Sequence, residues 1–424
     1  MYGCLRIRFL GGAGEVGRSA ILLQGERNIL LDDGIKLDHK IEYPLTPGRV
    51  DAVVISHAHL DHVGFAPDLY FSSNQPVAFG TAPTLVLGKL LIEDSLKIAH
   101  KEHLKPAFFK RQMYAFANRF VPVNYHHPVH FAGNEITMYD AGHICGSSIT
   151  LIEDKRTRKR VLYTGDLKLS PQTLHEGAEV VESDILITES TYANSEHPGR
   201  ESVIANFIKD IKETINAGGT ALLPCFAVGR AQEVLAVLQM EGLIENTYID
   251  GMALKATEIS MEYLDFFSNA GFLESAMANA THIRSRQQRA RPLAGGSIVV
   301  TTAGMLNGGP ILDYMKRANL ASRIFLTGYQ VEGTNGRKLL EGKPLIIDGR
   351  RFNLSIPFGI YDFSAHSGRK DLHDYIKRSN PEKVICVHGD MENSKVLAAE
   401  LLEEGFDSIA PATGEDVNIE LTRQ

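Results

Sequence analysis

Cysteine is scarce in this sequence: Cys4, Cys145, Cys225 and Cys386 are the only four among 424 residues, and no two form a CxxC pair. That spacing excludes a disulfide scaffold and a zinc ribbon and suits a reducing compartment, so any metal must be held mainly by His and carboxylate. Long apolar runs are missing too. No stretch reaches the roughly 18 to 20 apolar residues of a membrane span, and Met1 to Arg6 lead into a strand-like segment without a signal-peptide hydrophobic region. A cytoplasmic protein with no membrane partner is expected. A basic excess is also absent, since 44 Lys and Arg stand against 51 Asp and Glu for a net charge of −7. Proteins that coat nucleic acid non-specifically are usually basic, so composition lends that class no support. Two runs depart from the trend, Lys155-Arg156-Thr157-Arg158-Lys159-Arg160 and the set Arg284, Arg286, Arg289 and Arg291. Each reads first as a solvated turn or helix face. There is no internal repeat and no low-complexity segment.

What is present is a chain long enough for two compact cores. The first third reads as short strands joined by tight turns: 5–10, 20–23, 28–31 and the buried run 50–56. A helix is predicted around 84–100, followed by strands at 135–139, 148–152, 160–163 and 185–188. From about Ser202 the pattern alternates, with helices at 202–217 and 231–238 and strands at 220–224, 247–250, 297–301 and 323–326, which implies a parallel sheet. The strand 383–387 and helix 393–403 fit either domain by pattern alone. Gly12-Ala13-Gly14-Glu15-Val16-Gly17 formally matches GxGxxG. A dinucleotide site needs that loop to open a helix; residues 18–23 look like a second strand, so a glycine-rich hairpin is expected.

The chemistry begins at His57-Ala58-His59-Leu60-Asp61-His62, which ends a hydrophobic strand. Two imidazoles two residues apart can share one ion, and Asp61 and His62 can reach a second beside it. Zinc takes His nitrogen and carboxylate oxygen at roughly 2.0 to 2.2 Å, and a catalytic zinc keeps one position open. One loop cannot fill two coordination spheres, so distant ligands are required, each at a strand end. His143 follows the strand 136–139, Asp166 follows 160–163, and His388 follows 384–387. The rival cluster His126, His127 and His130 has no apolar strand delivering it to a shared site and reads as surface.

Asp32, the HxHxDH loop, His143 and Asp166 resemble, in order, motifs 1 to 4 of the metallo-β-lactamase superfamily. Thr188-Glu189-Ser190-Thr191-Tyr192, Phe363-Ser364-Ala365-His366-Ser367 and Val387-His388-Gly389-Asp390 resemble motifs A, B and C of its β-CASP nucleases. Residues 224–233, 304–306 and 328–334 also resemble that group, and the likeness spans essentially the whole chain. It is nearest to archaeal and bacterial relatives of the nuclease subunit of the cleavage and polyadenylation specificity factor, and akin to the RNase J group. Two departures bear on the subgroup: Ser367-Gly368-Arg369 follows His366 where an acid is usual, and motif C ends in Asp390 where Glu is more common.

The resemblance implies an α/β chain: a metallo-β-lactamase αββα sandwich (1–194 and 351–424) with an inserted α/β β-CASP domain (195–350). It implies two Zn ions, one on His57, His59 and His143, the other on Asp61, His62 and His388, with Asp166 bridging and Asp61 also serving catalysis. Asp32 supports the metal loop, with Asp33 the alternative. The implied activity is a ribonuclease in RNA processing or decay, endonuclease or 5′-exonuclease, with a two-metal-activated water, His366 as general acid and Glu189 holding its tautomer. Gly304, Ser364 and Ser367 are candidate RNA phosphate contacts, with Arg230 and Arg337 lesser ones. The partner is RNA, single-stranded by preference; relatives suggest a homodimer and an RNA-processing complex. Competing readings are a small-molecule hydrolase such as a thioesterase, a DNA-directed β-CASP nuclease, against which His388 speaks, and a non-catalytic RNA-binding scaffold.

Overall fold

A computed structural model describes residues 3–37, 41–71, 73 and 75–421. The chain divides into two compact units. The first comprises Met1–Pro171, Gly177–Glu196 and His366–Gln424, and the second Gln172–Glu176 and His197–Ala365.

The first unit holds two seven-stranded sheets. One runs in the order Asp416–Leu421, Gly3–Gly11, Ala20–Gln24, Asn28–Leu31, Ala52–Val54, Val77–Gly80 and Phe120–Pro122. The other runs Asp407–Ile409, Lys383–Val387, Ile185–Glu189, Arg160–Tyr163, Ser148–Asp154, Asn134–Asp140 and Val129–Phe131. Alternate residues of the two sheets meet in one buried layer, with Ile7, Phe9, Ile21 and Val54 against Met138, Ile152, Tyr163, Ile187 and Ile385. The outer face of the first sheet is covered by the helices Ala82–Lys101 and Lys110–Asn118, through Leu30, Val53, Ile92, Met113 and Phe116. The outer face of the second takes Arg369–Ser379 and Met391–Glu403, through Leu162, Leu186, Tyr375, Ile376 and Leu397. This is the four-layer αββα order, each sheet hiding one face in the centre and the other under helices. The helix Ala82–Lys101 starts where the Thr81 hydroxyl accepts from Thr84 N and Pro83 sits in the first turn, and it carries His100 and Lys101 in its last turn.

The glycine-rich segment after Gly3–Gly11 turns into the antiparallel partner Ala20–Gln24, with Ile7 opposite Leu23, so it is a hairpin and opens no helix. The strand expected over 50–56 is narrower, Ala52–Val54. Ser56 N leaves the ladder because the Asp32 carboxylate takes it at 2.7 Å.

The second unit is built on a six-stranded sheet, ordered Thr281–Ile283, Thr247–Asp250, Ser297–Thr301, Thr220–Pro224, Arg323–Leu326 and Phe358–Ile360, with every pairing parallel. Helices lie on both faces. Phe207, Leu235 and Leu238 pack with Leu223 and Val300 on one side, and Ile311 and Tyr314 pack with Leu222 and Leu326 on the other. Strands buried on both faces read as continuous apolar runs, here Ser297–Thr301 and Thr220–Pro224. Residues 351–365, assigned from sequence to the first domain, go with this unit. The cause is the strand Phe358–Ile360, which pairs with Arg323–Leu326 through Ile324 opposite Phe358.

Candidate metal centre

Every donor of the site sits just beyond the C-terminal end of a strand of the first unit. Ala52–Val54 delivers His57 to His62, Asn134–Asp140 delivers His143, Arg160–Tyr163 delivers Asp166, Ile185–Glu189 ends on Glu189, and Lys383–Val387 delivers His388. The loop between strand and metal donor must fold back sharply at Gly165, whose φ is +53°; a Cβ there would lie 2.7 Å from that of Ser56.

Asp32 organises the loop from beneath. It is fully buried, and its Oδ1 accepts from Ser56 N at 2.7 Å. Its Oδ2 receives the Ser56 hydroxyl and His62 Nδ1, each at 2.7 Å, and the Tyr163 hydroxyl at 2.8 Å. With Nδ1 donating to a carboxylate, His62 turns its other nitrogen to the site, the arrangement by which outer groups set the tautomer of a metal-binding imidazole. Asp33 does not share this network: its Oδ2 is buried without a hydrogen-bond partner among the described residues, and burial, then Asp68, pushes its carboxyl well above the usual range. Of the two acids, Asp32 is therefore the one that holds the loop.

The donors fall into two sets sharing one residue. In the first, His59 Nδ1 lies 3.2 Å from both His57 Nε2 and His143 Nε2. Asp166 Oδ2 lies 3.5 Å from His57 Nε2 and 3.7 Å from His143 Nε2. In the second, Asp166 Oδ1 lies 3.1 Å from His62 Nε2 and from His388 Nδ1, while Asp61 Oδ2 lies 3.5 Å from His388 Nε2. Ligands held tetrahedrally at roughly 2.0 to 2.1 Å are separated by about 3.3 Å, close to these spacings. The buried His62 Nε2, His388 Nε2 and Asp166 Oδ1 make no hydrogen bond among the described residues, as lone pairs turned toward a common cation would not. Nitrogen and carboxylate donors with no thiolate suit zinc, so the residues present fit the metal.

Electrostatics agree with the geometry. Burial, then the neighbouring His62, holds His57 well below the ordinary imidazole value, in the neutral form that a metal requires. Burial opposes ionisation of Asp166, yet His388 and His62 outweigh it and hold the carboxyl well below its usual range. Asp61 is likewise lowered, burial being outweighed by His62 and His388. His62 is raised because Asp166, Asp32 and Asp61 overcome its burial; three carboxylates call for positive charge, from a proton or from a cation. Asp32 at φ +57° and His388 at φ +47° both adopt the left-handed region, where non-glycine residues are strained and which functional sites often use.

Beside the two sets stands a third. His366 Nδ1 lies 3.1 Å from Glu189 Oε1 and 3.0 Å from Oε2, and its Nε2 points toward Asp166 Oδ2 at 3.9 Å. Glu189 is fully buried and also accepts from Leu167 N at 2.7 Å. Burial works against the charged form of His366, but Glu189 and then Asp166 outweigh it and push the imidazole up to about 9. The ring keeps 22% of its side chain exposed, so it reaches solvent.

The candidate phosphate contacts differ in their surroundings. Ser367 is not one of them: its side chain is fully buried, and its hydroxyl oxygen accepts from Leu169 N at 2.9 Å. Ser364, partly buried, donates its N–H to Asp362 Oδ1 at 2.9 Å. Gly304 is a place of close approach, where a Cβ would come within 3.0 Å of Phe226 N. Arg230 is buried at the start of the helix Arg230–Met240, and Arg337 is paired with Glu341 at 2.9 Å. His126 and His130 are exposed, near Glu179 and Glu135. The basic run is neutralised in place, Arg156 by Glu26 and Asp154, Lys159 by Glu382 and Arg160 by Asp184. Residues that sequence reasoning missed are Ser56 and Tyr163, which steady Asp32, and Lys168, whose Nζ donates to the His366 carbonyl at 2.8 Å. Each stands within three residues of a named ligand, which was the available signal.

Three family descriptions match the chain: metallo-beta-lactamase superfamily over residues 13–200, Beta-Casp domain over 231–339, and Zn-dependent metallo-hydrolase RNA specificity domain over 360–411. Probable RNase MJ4 of Methanocaldococcus jannaschii is 39% identical over 98% of this chain and 100% of its own length. RNase aCSPSF2 of Saccharolobus solfataricus is 34% identical over 97% of this chain and 85% of its own. Among solved structures, a protein of unknown function from Enterococcus faecalis V583 shares the fold, with a TM-score of 0.59 at 14% identity over 98% of this chain and 100% of that one.

Proposed function

We propose that this chain, which belongs to the metallo-β-lactamase superfamily and its β-CASP nuclease branch, is a two-zinc ribonuclease that hydrolyses RNA phosphodiester bonds. The observation that carries the reading is Asp166, whose Oδ2 faces His57 and His143 while its Oδ1 faces His62 and His388. RNA as substrate is supported by the matched RNA specificity domain, whose span includes His366 and His388, and by the RNase names of the two relatives.

His57, His59 and His143 would hold one zinc, Asp61, His62 and His388 the other, and Asp166 would bridge. When bound, two zincs supply charge neutralisation at the phosphate and a water acidic enough to attack at neutral pH. The chain does the rest. Asp32 keeps His62 Nδ1 protonated and its Nε2 free for the metal. Glu189 accepts from His366 Nδ1–H, which orients the ring and keeps its proton through the neutral range. His366 Nε2–H then protonates the departing ribose oxygen, the step for which a hydrolysed ester needs a general acid. Lys168 fixes the His366 backbone while this happens.

The test is zinc-loaded protein with a single-stranded RNA and the matching DNA, each labelled at the 5′ end or internally. RNA cleavage that chelation stops and zinc restores is the expected result, with about two zincs per chain by elemental analysis. Intact RNA under zinc-replete conditions overturns the proposal.

A further inference from the structure

We propose that the loop 225–230, leading into the helix Arg230–Met240, is a nucleotide subsite of the second unit, where Arg230 takes a backbone phosphate of single-stranded RNA and Phe226 stacks a base. The proposal rests on the ribonuclease reading and adds to it a place where the strand is gripped.

Arg230 is only 9% exposed, and its Nε and Nη1 are buried without a hydrogen-bond partner among the described residues. A guanidinium does not shed its proton in a protein, and a buried charge left unpaired is among the costliest things a fold can contain. The acids around it are engaged elsewhere. Glu233 accepts from Thr173 N at 2.7 Å and Leu174 N at 3.1 Å and pairs with Arg200. Asp362 accepts from Ser364 N at 2.9 Å and faces His197 Nδ1 at 2.8 Å. Cys225 stays a neutral thiol, since burial pushes it up to about 12. Glu233 and Asp362 favour the Arg230 charge without bonding it, so Nε and Nη1 are left for the oxygens of a bound anion.

The surroundings define its chemistry. Arg230 is the first residue of an 11-residue helix, whose N-terminal end favours an anion, and an arginine fork matches phosphate oxygens. Four positions earlier on the same loop, Phe226 is 40% exposed. Its carbonyl accepts from Ala231 N at 3.2 Å, which ties the two residues into one turn and leaves the ring outside. A cation and an exposed aromatic on one loop are the pair of groups by which single strands are held without sequence preference, phosphate on the cation and base on the ring.

The experiment uses the zinc-loaded full chain and a 5′-fluorescein single-stranded phosphorothioate RNA, with fluorescence anisotropy across a series of KCl concentrations. Arg230→Gln is expected to weaken binding about tenfold and to flatten the plot of log K against log[KCl] by about 0.7, one phosphate contact on a single strand. Phe226→Ala is expected to weaken binding at least fivefold with the slope unchanged. The melting temperature of Arg230→Gln should equal or exceed that of the parent, because the buried charge removed has no hydrogen-bonded partner among the described residues. Wild-type affinity and slope in Arg230→Gln would overturn the proposal, and so would a clear fall in its melting temperature, which marks a structural arginine. If inorganic phosphate raises the parent's melting temperature but Arg230→Gln leaves the RNA slope intact, the site serves a free anion and the RNA assignment is overturned. The parent's cleavage of unmodified RNA is read in parallel: cleavage with an unaltered Arg230→Gln slope sinks the subsite alone, and no cleavage sinks the ribonuclease reading and the subsite with it.

Discussion

Asp32 Oδ2 and His62 Nδ1 lie 2.7 Å apart with neither side chain exposed to solvent. The same oxygen receives the Ser56 and Tyr163 hydroxyls, so one carboxylate beneath the metal loop sets the tautomer of a ligand and the path of the backbone around it. Replacing it with Asn keeps the shape and removes the charge. Asp32→Asn should weaken zinc binding 10- to 100-fold, the usual effect of removing an outer partner of a metal-binding histidine. Titration against a competing chelator measures this; unchanged affinity would mean that the loop holds its shape without Asp32.

Asp166 serves both donor sets, so on the proposed two-zinc reading its loss should be felt by both metals. Asp166→Ala is expected to abolish RNA cleavage and to lower bound zinc below one per chain. His59→Ala touches only the first set and should abolish cleavage while retaining about one zinc. Equal zinc content in the two variants would contradict a bridging role for Asp166.

The pair of Glu189 and His366 makes a statement about pH. Burial disfavours the imidazolium, but Glu189 and Asp166 prevail and raise His366 to about 9. The donor is therefore charged below that value and loses its proton as pH rises through it, so the rate should fall on the alkaline side. Glu189→Gln removes the largest favourable influence and should move that limb toward lower pH. His366→Gln should eliminate the limb and lower kcat by about 10²- to 10⁴-fold, the range for a general acid, with zinc content unchanged. Loss of zinc from His366→Gln would make it a ligand.

His175 offers a test of stability away from the metal. It is 4% exposed, packs on Phe267 at 5.2 Å between ring centroids, and burial lowers it to about 4. Its folded value lies below the unfolded one near 6.5, so between them the unfolded chain binds the extra proton. Stability is whole above about pH 6.5 and is lost as pH falls toward 4, by about 2 kcal/mol at pH 5. Urea midpoints at pH 7 and 5 should therefore converge in His175→Gln relative to the parent. An equal drop in both proteins would show that His175 does not carry the effect.

Much of this protein was legible from local pattern. The strands at 28–31, 160–163, 220–224, 297–301 and 383–387 have the expected bounds, because runs of buried apolar residues announce themselves. The donors His57, His59, Asp61, His62, His143, Asp166 and His388 all stand where a strand stops, and the fold gathers them into two sets. Strand ends on one edge of two packed sheets are neighbours in space even when far apart in sequence, which is why donors at successive strand ends could be expected to meet.

Tertiary structure alone decided the rest, since burial and pairing depend on residues remote in sequence. Nothing near Asp32 and Asp33 distinguishes two adjacent acids; Ser56, His62 and Tyr163 do so by converging on one of them. Ser367 looked like a hydroxyl on offer, yet Leu169 N takes it inside the fold. Residues 351–365 carry no sign of their unit until the strand Phe358–Ile360 finds its parallel partner. Arg230 was a candidate phosphate contact by residue type alone; only the fold buried it and gave its neighbouring acids to other donors. Sequence by itself determined which side chains can do chemistry at strand ends; the packed structure determined which of them are exposed, which are spent, and which are left needing a partner.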